Sequence, residues 1–252
     1  MIQSAIMIHL ALFLATAVHA APVEVQFSTS DGVTVFGDLY ASSEGKSAPV
    51  ILLFHQGGSD ARGEYTDIAA LLLDDGYNIL AIDQRKGGKL FGGVNRTMAA
   101  ADRTDYSFCD AYPDLEATLT YVRESGYSGP LAAWGSSYSA ALAIQLGAKN
   151  KDEITAVLGF SPASGKPLAG CMPSQYLDDL TVPTLALRPQ SEFEIESVQA
   201  QMKEFERVGV QTYVADPGVH GSSMLNAERV GASTEATWQV VLDFLATSLA
   251  GE

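Results

Sequence analysis

Cysteine, histidine and positive charge are all scarce in this chain. Its 252 residues hold two cysteines, four histidines, and 15 Lys and Arg against 30 Asp and Glu, for a formal charge of −15. The two cysteines, Cys109 and Cys171, are too few for a metal cage. They suffice for one disulfide in an oxidising compartment, or for two separate buried thiols. Bridged, they would close a loop of about sixty residues, worth roughly 4 kcal/mol in a chain-entropy treatment. So little Lys and Arg argues against a nucleic-acid partner, whose phosphates need neutralising cations, and against adhesion to anionic lipid. No repeat, low-complexity tract or linker divides the chain, so one domain over 21–252 is expected.

Residues 1–20 lack Lys, Arg, Asp and Glu altogether, and the apolar run Ala5 to Val18 is short for a bilayer but suits a signal-peptide core. Val18 and Ala20 place small residues ahead of Ala21. A signal peptide over 1–20 and a secreted or periplasmic mature chain, free of the membrane, are expected.

Beyond the leader, Val23, Val25 and Phe27 alternate, Asp31-Gly32 turns, and Val33, Val35 and Leu39 resume the period of two. That pattern predicts an antiparallel hairpin at a sheet edge. Pro49 to Phe54, Asn78 to Ile82, Leu131 to Trp134, Ala156 to Phe160, Pro183 to Leu187 and Val210 to Val214 are short runs of the kind found in strands covered on both faces. Between them lie helical spacings: Tyr65, Ile68, Leu72; Leu115, Leu119, Val122; Ile195, Val198, Met202, Phe205; and Trp238, Val241, Leu245, Leu249. Strands alternating with helices predict an α/β protein built on a parallel sheet, with functional groups beyond the strands' carboxyl ends. His55, Ser137, Glu192 and His220 all fall just past such an end.

The segment 84–109 is long and irregular, as functional or mobile loops are. It carries Arg85, Lys86, Lys89, Arg96 and Arg103, which suit either recognition of a substrate carboxylate or a solvated loop offsetting the acidic surface. Asn95-Arg96-Thr97 matches a glycosylation acceptor.

At Leu131 to Ala141 a strand pattern gives way to a helical one within a few residues, with Ser137 between and small residues Gly135 and Ser139 on either side. So sharp a turn forces the central side chain into a strained, exposed position, the physics of a nucleophile elbow. A serine-rich helix cap is the plainer alternative.

With the elbow Gly135-Ser136-Ser137-Tyr138-Ser139, the loop His55-Gln56-Gly57-Gly58 and the late pair His220-Gly221, the chain resembles the α/β-hydrolase family across essentially its whole mature length. Within that family it is similar to dienelactone-hydrolase-like proteins and small serine esterases. It departs from dienelactone hydrolases in having serine at the elbow, Gln56 where glycine is usual, and Pro189 within the expected G-x-x-D after the late strand. The resemblance implies an α/β-hydrolase fold: a mostly parallel central sheet, an N-terminal antiparallel edge hairpin, and helices on both faces. It also implies the chain order nucleophile, acid, base. A serine hydroxyl needs an imidazole to take its proton. His9 and His19 lie in the leader, so His220 is the expected base and His55 is expected to brace its own loop. Glu192 stands where the family's aspartate falls, with Glu194 next and Asp178 and Asp179 more distant. Backbone N–H groups of Tyr138 and of Gln56 or Gly57 are the expected oxyanion donors. A Cys109–Cys171 bridge would fix the mouth of the site. No metal or organic cofactor is implied. The expected reaction is cleavage of a small-molecule carboxylic ester through an acyl-enzyme. An amidase, peptidase or acyltransferase with the same triad, and a non-catalytic binding protein on this fold, are the alternatives.

Overall fold

A computed structural model of the chain describes residues 21–250; the expected leader lies outside the described residues. The strands are β1 (Val23–Ser28), β2 (Thr34–Tyr40), β3 (Val50–Phe54), β4 (Asn78–Asp83), β5 (Leu131–Ser136), β6 (Ala156–Phe160), β7 (Thr184–Pro189) and β8 (Gln211–Ala215). They form one sheet in the order β1-β2-β4-β3-β5-β6-β7-β8. The β1–β2 hairpin pairs antiparallel and meets β4 antiparallel through β2, while every later pairing is parallel. The expected edge hairpin and parallel body are both present. All residues of β3 to β7 are buried, which is why those strands read as unbroken runs rather than alternations.

The helices are α1 (Ala61–Asp74), α2 (Arg96–Ala100), α3 (Tyr112–Glu124), α4 (Tyr138–Lys149), α5 (Gln190–Phe193), α6 (Glu196–Arg207), α7 (Ala227–Val230) and α8 (Glu235–Ser248). On one face, Ile51, Leu53, Trp134, Leu158 and Leu187 pack against Tyr65, Ile68 and Leu72 of α1 and Val241 and Leu245 of α8. On the other, Val50, Leu52, Leu80, Ala133 and Val157 pack against α3, α4 and α6. Each large aliphatic or aromatic side chain so buried contributes about 1.5–3 kcal/mol. Trp134 stacks on Phe160 with centroids 4.4 Å apart, filling the first face directly beneath the strand ends.

The long segment after β4 is held by ionic contacts rather than by core. Asp83 accepts the Ala61 N–H (2.8 Å) and the Arg96 Nε–H (2.6 Å), and Arg96 continues to Asp38 and Glu24. Arg85 is buried between Asp114 (2.7 Å) and Asp31 (2.5 Å). Arg103 pairs with Asp105. Arg85 and Arg96 are therefore structural, their guanidinium groups taken up by the chain's own carboxylates, while Arg103 is exposed. The side chain of the acceptor sequence at Asn95 is buried. Asn95 is only 4% exposed, caps α2 by accepting the Met98 N–H, and donates to the Gln84 carbonyl, leaving no access for a glycan.

Cys109 and Cys171 are bridged, 62 residues apart in sequence, joining the segment before α3 to the proline-rich stretch after β6. Replacing both with serine is expected to cost about 2–5 kcal/mol, read as a lowered melting temperature that reductant does not lower further.

Candidate active site

Strand β5 ends at Ser136 and α4 begins at Tyr138, leaving Ser137 alone in the turn. Its φ of 62° is a backbone conformation that non-glycine residues rarely adopt. The turn is possible because Gly135 has no side chain: a Cβ there would lie 2.2 Å from the Ser139 carbonyl oxygen and 2.5 Å from Ala140 Cα. Ser139 does more than stay small. Its hydroxyl receives the Ser136 N–H (2.9 Å) and lies 2.6 Å from the Phe54 carbonyl oxygen and 2.9 Å from that of His55. The residue that replaces the usual glycine thus ties the elbow to the loop beyond β3.

In that loop His55 is fully buried. Its Nε2 accepts the Gln84 N–H at 3.0 Å and its Nδ1 lies 2.9 Å from the Gln56 carbonyl. These contacts fix the neutral Nδ1–H tautomer, and burial lowers the imidazole's pKa further. The expected bracing role stands. Gln56 has its N–H committed to Glu64 Oε2 (2.8 Å). Of the two loop donors expected from sequence, Gly57 is left. Its Cα faces the ring of Phe108, which would meet a Cβ at 3.2 Å, and Phe108 packs on Tyr138 at 4.8 Å between centroids. The Tyr138 N–H opens the first turn of α4, where the helix dipole favours negative charge. Its phenol donates to the Lys86 carbonyl (2.6 Å).

The expected acid and the expected base come together. Beyond β7, α5 brings Glu192 back over the strand end, and its Oε1 receives the His220 Nδ1–H at 2.5 Å. Glu192 Oε2 pairs with Arg188 Nη1 at 2.7 Å. Arg188 is itself buried, donating also to the Pro162 carbonyl and to Gln201 Oε1. Burial pushes the Glu192 carboxyl up, but the His220 and Arg188 contacts outweigh it and hold the pKa at about 2. Glu194 is exposed, and Asp178 is exposed and faces Arg207 at 4.0 Å.

The histidine loop rests directly on the elbow. The Gly221 N–H donates to Ser161 Oγ (3.0 Å) and the Ser222 N–H to Ser136 Oγ (3.0 Å). A Cβ on Gly221 would stand 2.4 Å from Ser136 Oγ. Ser161, just beyond β6, is among the described residues the second non-glycine with positive φ. Ser222 Oγ in turn receives the Trp134 indole N–H at 2.9 Å and lies 3.3 Å from the Tyr65 hydroxyl. The neighbours of Ser137 and of His220 are thus in contact. The imidazole is half exposed, and among the described residues no hydrogen bond joins it to Ser137 Oγ.

The sequence pattern of the serine aminopeptidase S33 family matches residues 45–237. This chain is an S33-family α/β hydrolase. Solved structures agree on the fold. A Pyrococcus furiosus esterase is 20% identical, with TM-score 0.69 over 91% of this chain and 92% of its own. A dienelactone-hydrolase-like protein of Klebsiella pneumoniae is 15% identical, with TM-score 0.69 over 90% and 99%. A Pyrococcus horikoshii acylaminoacyl peptidase is 16% identical, with TM-score 0.64, and matches over 90% of this chain but 41% of its own. Comparison with curated proteins gives no match.

Sequence reasoning about this α/β hydrolase missed Arg188, Ser136, Ser161 and Glu64. Only Glu64 left a signal: it shares the helical stripe of Ala61, Tyr65, Ile68 and Leu72, an acid on an otherwise buried face. For Glu192 the consequence is a pH dependence. Its folded pKa lies below the ordinary 4.5, so its contribution is present above that value and is lost as pH falls through about 2. Thermal melts should show the parent more stable than Glu192→Gln above pH 4.5, by up to about 3 kcal/mol. The two curves should draw together as pH falls below 4.5 and meet near pH 2.

Proposed function

We propose that this protein is an exported serine hydrolase that cleaves a carboxylic ester through an acyl-enzyme. The observation that carries the reading is the His220–Glu192 pair, backed by buried Arg188, on a loop that rests against the residue preceding strained Ser137. With Nδ1–H engaged by Glu192, Nε2 is the free basic nitrogen. It takes the Ser137 proton as Oγ bonds to the substrate's carbonyl carbon, and the carbonyl oxygen becomes an oxyanion. The N–H groups of Tyr138 and Gly57 receive that charge, each such donor being worth about 10²–10³ in rate. The imidazolium then protonates the departing alkoxide. A water molecule, deprotonated by the same nitrogen, attacks the acyl-enzyme, and the steps reverse to release the acid.

The reach between Ser137 Oγ and Nε2 closes when substrate is bound, as looser contacts in unliganded enzymes do. The partly exposed ring of Phe108 beside Gly57, backed by buried Tyr138, gives the substrate an apolar wall. The disulfide and the apolar leader support export to an oxidising compartment. The peptidase among the structural neighbours supports amide cleavage as a second reading, since the acyl-enzyme is common to both reactions. Matched ester and amide substrates separate the two by their kcat/KM.

Ser137→Ala and His220→Ala should each lower ester turnover by about three or more orders of magnitude while leaving the melting temperature near that of the parent. A fluorophosphonate should label Ser137 in the folded protein and nowhere in Ser137→Ala; absence of labelling would favour a binding protein. Glu192→Gln should lower kcat far more than Glu194→Gln, and the reverse order would move the acid's role to Glu194.

A further inference from the structure

Glu64 takes no part in the reaction just described, yet it sits at the meeting point of the site's loops. It lies in the first turn of α1, 2% exposed. Its Oε2 receives the Gln56 N–H, one residue before Gly57, at 2.8 Å. Its Oε1 has no partner of ordinary hydrogen-bond geometry, but the Ser136 hydroxyl acts on the carboxylate. The same hydroxyl accepts the Ser222 N–H, two residues beyond His220. We propose that Glu64 is a positioning residue whose carboxylate couples the oxyanion loop to the histidine loop, through the Gln56 N–H on one side and Ser136 on the other. The proposal rests on the serine-hydrolase reading above and adds to it the device that holds donor and base in mutual register.

A carboxylate suits this place because it only accepts: Oε2 holds the Gln56 N–H from the loop beyond β3, and the buried Oε1, with no hydrogen-bond partner of its own, is open to the Ser136 hydroxyl at the end of β5. Gly221 matters for the same reason: without a Cβ, the histidine loop lies directly on Ser136 Oγ. The groups facing Glu64 are Arg229 from α7, whose guanidinium donates to the Gly63 carbonyl (2.6 Å), His220 from its own loop, Tyr65 from α1 and Tyr138 from α4. Burial raises the Glu64 carboxyl to about 7 against the pull of Ser136, the Gln56 N–H, Arg229 and His220. As pH falls through that value the carboxyl gains a proton, one oxygen becomes a donor, and one arm of the joint breaks.

The test uses the full protein, hydrolysis of p-nitrophenyl butyrate, and fluorophosphonate labelling, with thermal melts of every variant. Glu64→Gln keeps the volume but presents an amide to Ser136. It should lower kcat by about ten- to a hundredfold, the scale of a misplaced reacting group, with KM little changed. Its acid limb should be shallower than the parent's, because one of the two ionisations is gone. Ser136→Ala should lower kcat in the same direction, and the double variant should be no slower than Glu64→Gln, since both cut one joint. Parental kcat with an unaltered acid limb in Glu64→Gln, or losses that multiply in the double variant, would overturn the proposal. Should Glu64→Gln fail to fold, Ser136→Ala decides, and parental kcat there overturns it. A parent that neither hydrolyses nor is labelled at Ser137 would sink the hydrolase reading itself, and this proposal with it.

Discussion

At Gly135 the strand β5 and the helix α4 approach so closely that one additional carbon atom would collide with backbone. Backbone cannot move aside as a flexible side chain can, so the approach is a constraint rather than a preference. From it follows the positive φ at Ser137, and with that the half-buried hydroxyl at the sheet's carboxyl edge. The strain is tolerated because neighbouring groups over-determine the turn: the Ser137 N–H donates to the Phe160 carbonyl, and its own carbonyl accepts from Ala140 and Ala163.

The loops that meet over this edge come from β3, β5, β6 and β8, and they are joined by hydroxyl groups. Ser139 reaches the β3 loop, Ser136 and Ser161 accept from the histidine loop, and Ser222 anchors that loop to Trp134 and Tyr65. Each bond is worth about 1 kcal/mol net, too little to hold the fold together. Their joint effect is geometric, because every loop is fixed to a strand end rather than to solvent. Departures from the family pattern belong to this arrangement. Ser139 supplies a bond that glycine could not, and the Gln56 side chain lies beside Gly221, which has no side chain of its own.

The strands were legible because burial on both faces leaves mostly apolar residues to read, and the edge hairpin because one of its faces is not covered. The ends were less so. β7 continues through Pro189, which sequence patterning treats as a stop, because its pairing with β6 has ended at Leu187 while its pairing with β8 runs on to Ala215. The pairing of Glu192 with His220 came from family likeness and chain order, and the geometry brings them together. Arg188 was invisible, since a cation in a strand reads as solvated until its partners are known. The contacts of Ser136 and Ser161 were equally hidden: a serine beside a turn has many local uses, and only the fold selects a long-range one.

The guanidinium groups of the segment after β4 lie among the chain's own carboxylates: Arg85 with Asp31 and Asp114, Arg96 with Asp83, Asp38 and Glu24, and Arg103 with Asp105. Their charge is neutralised within the protein before it can act at a distance. What a diffusing solute meets is the surplus of acid over the whole molecule, −15 in formal charge. An anionic solute therefore approaches uphill, and a neutral or cationic one does not, until salt screens the field over a Debye length of about 8–10 Å.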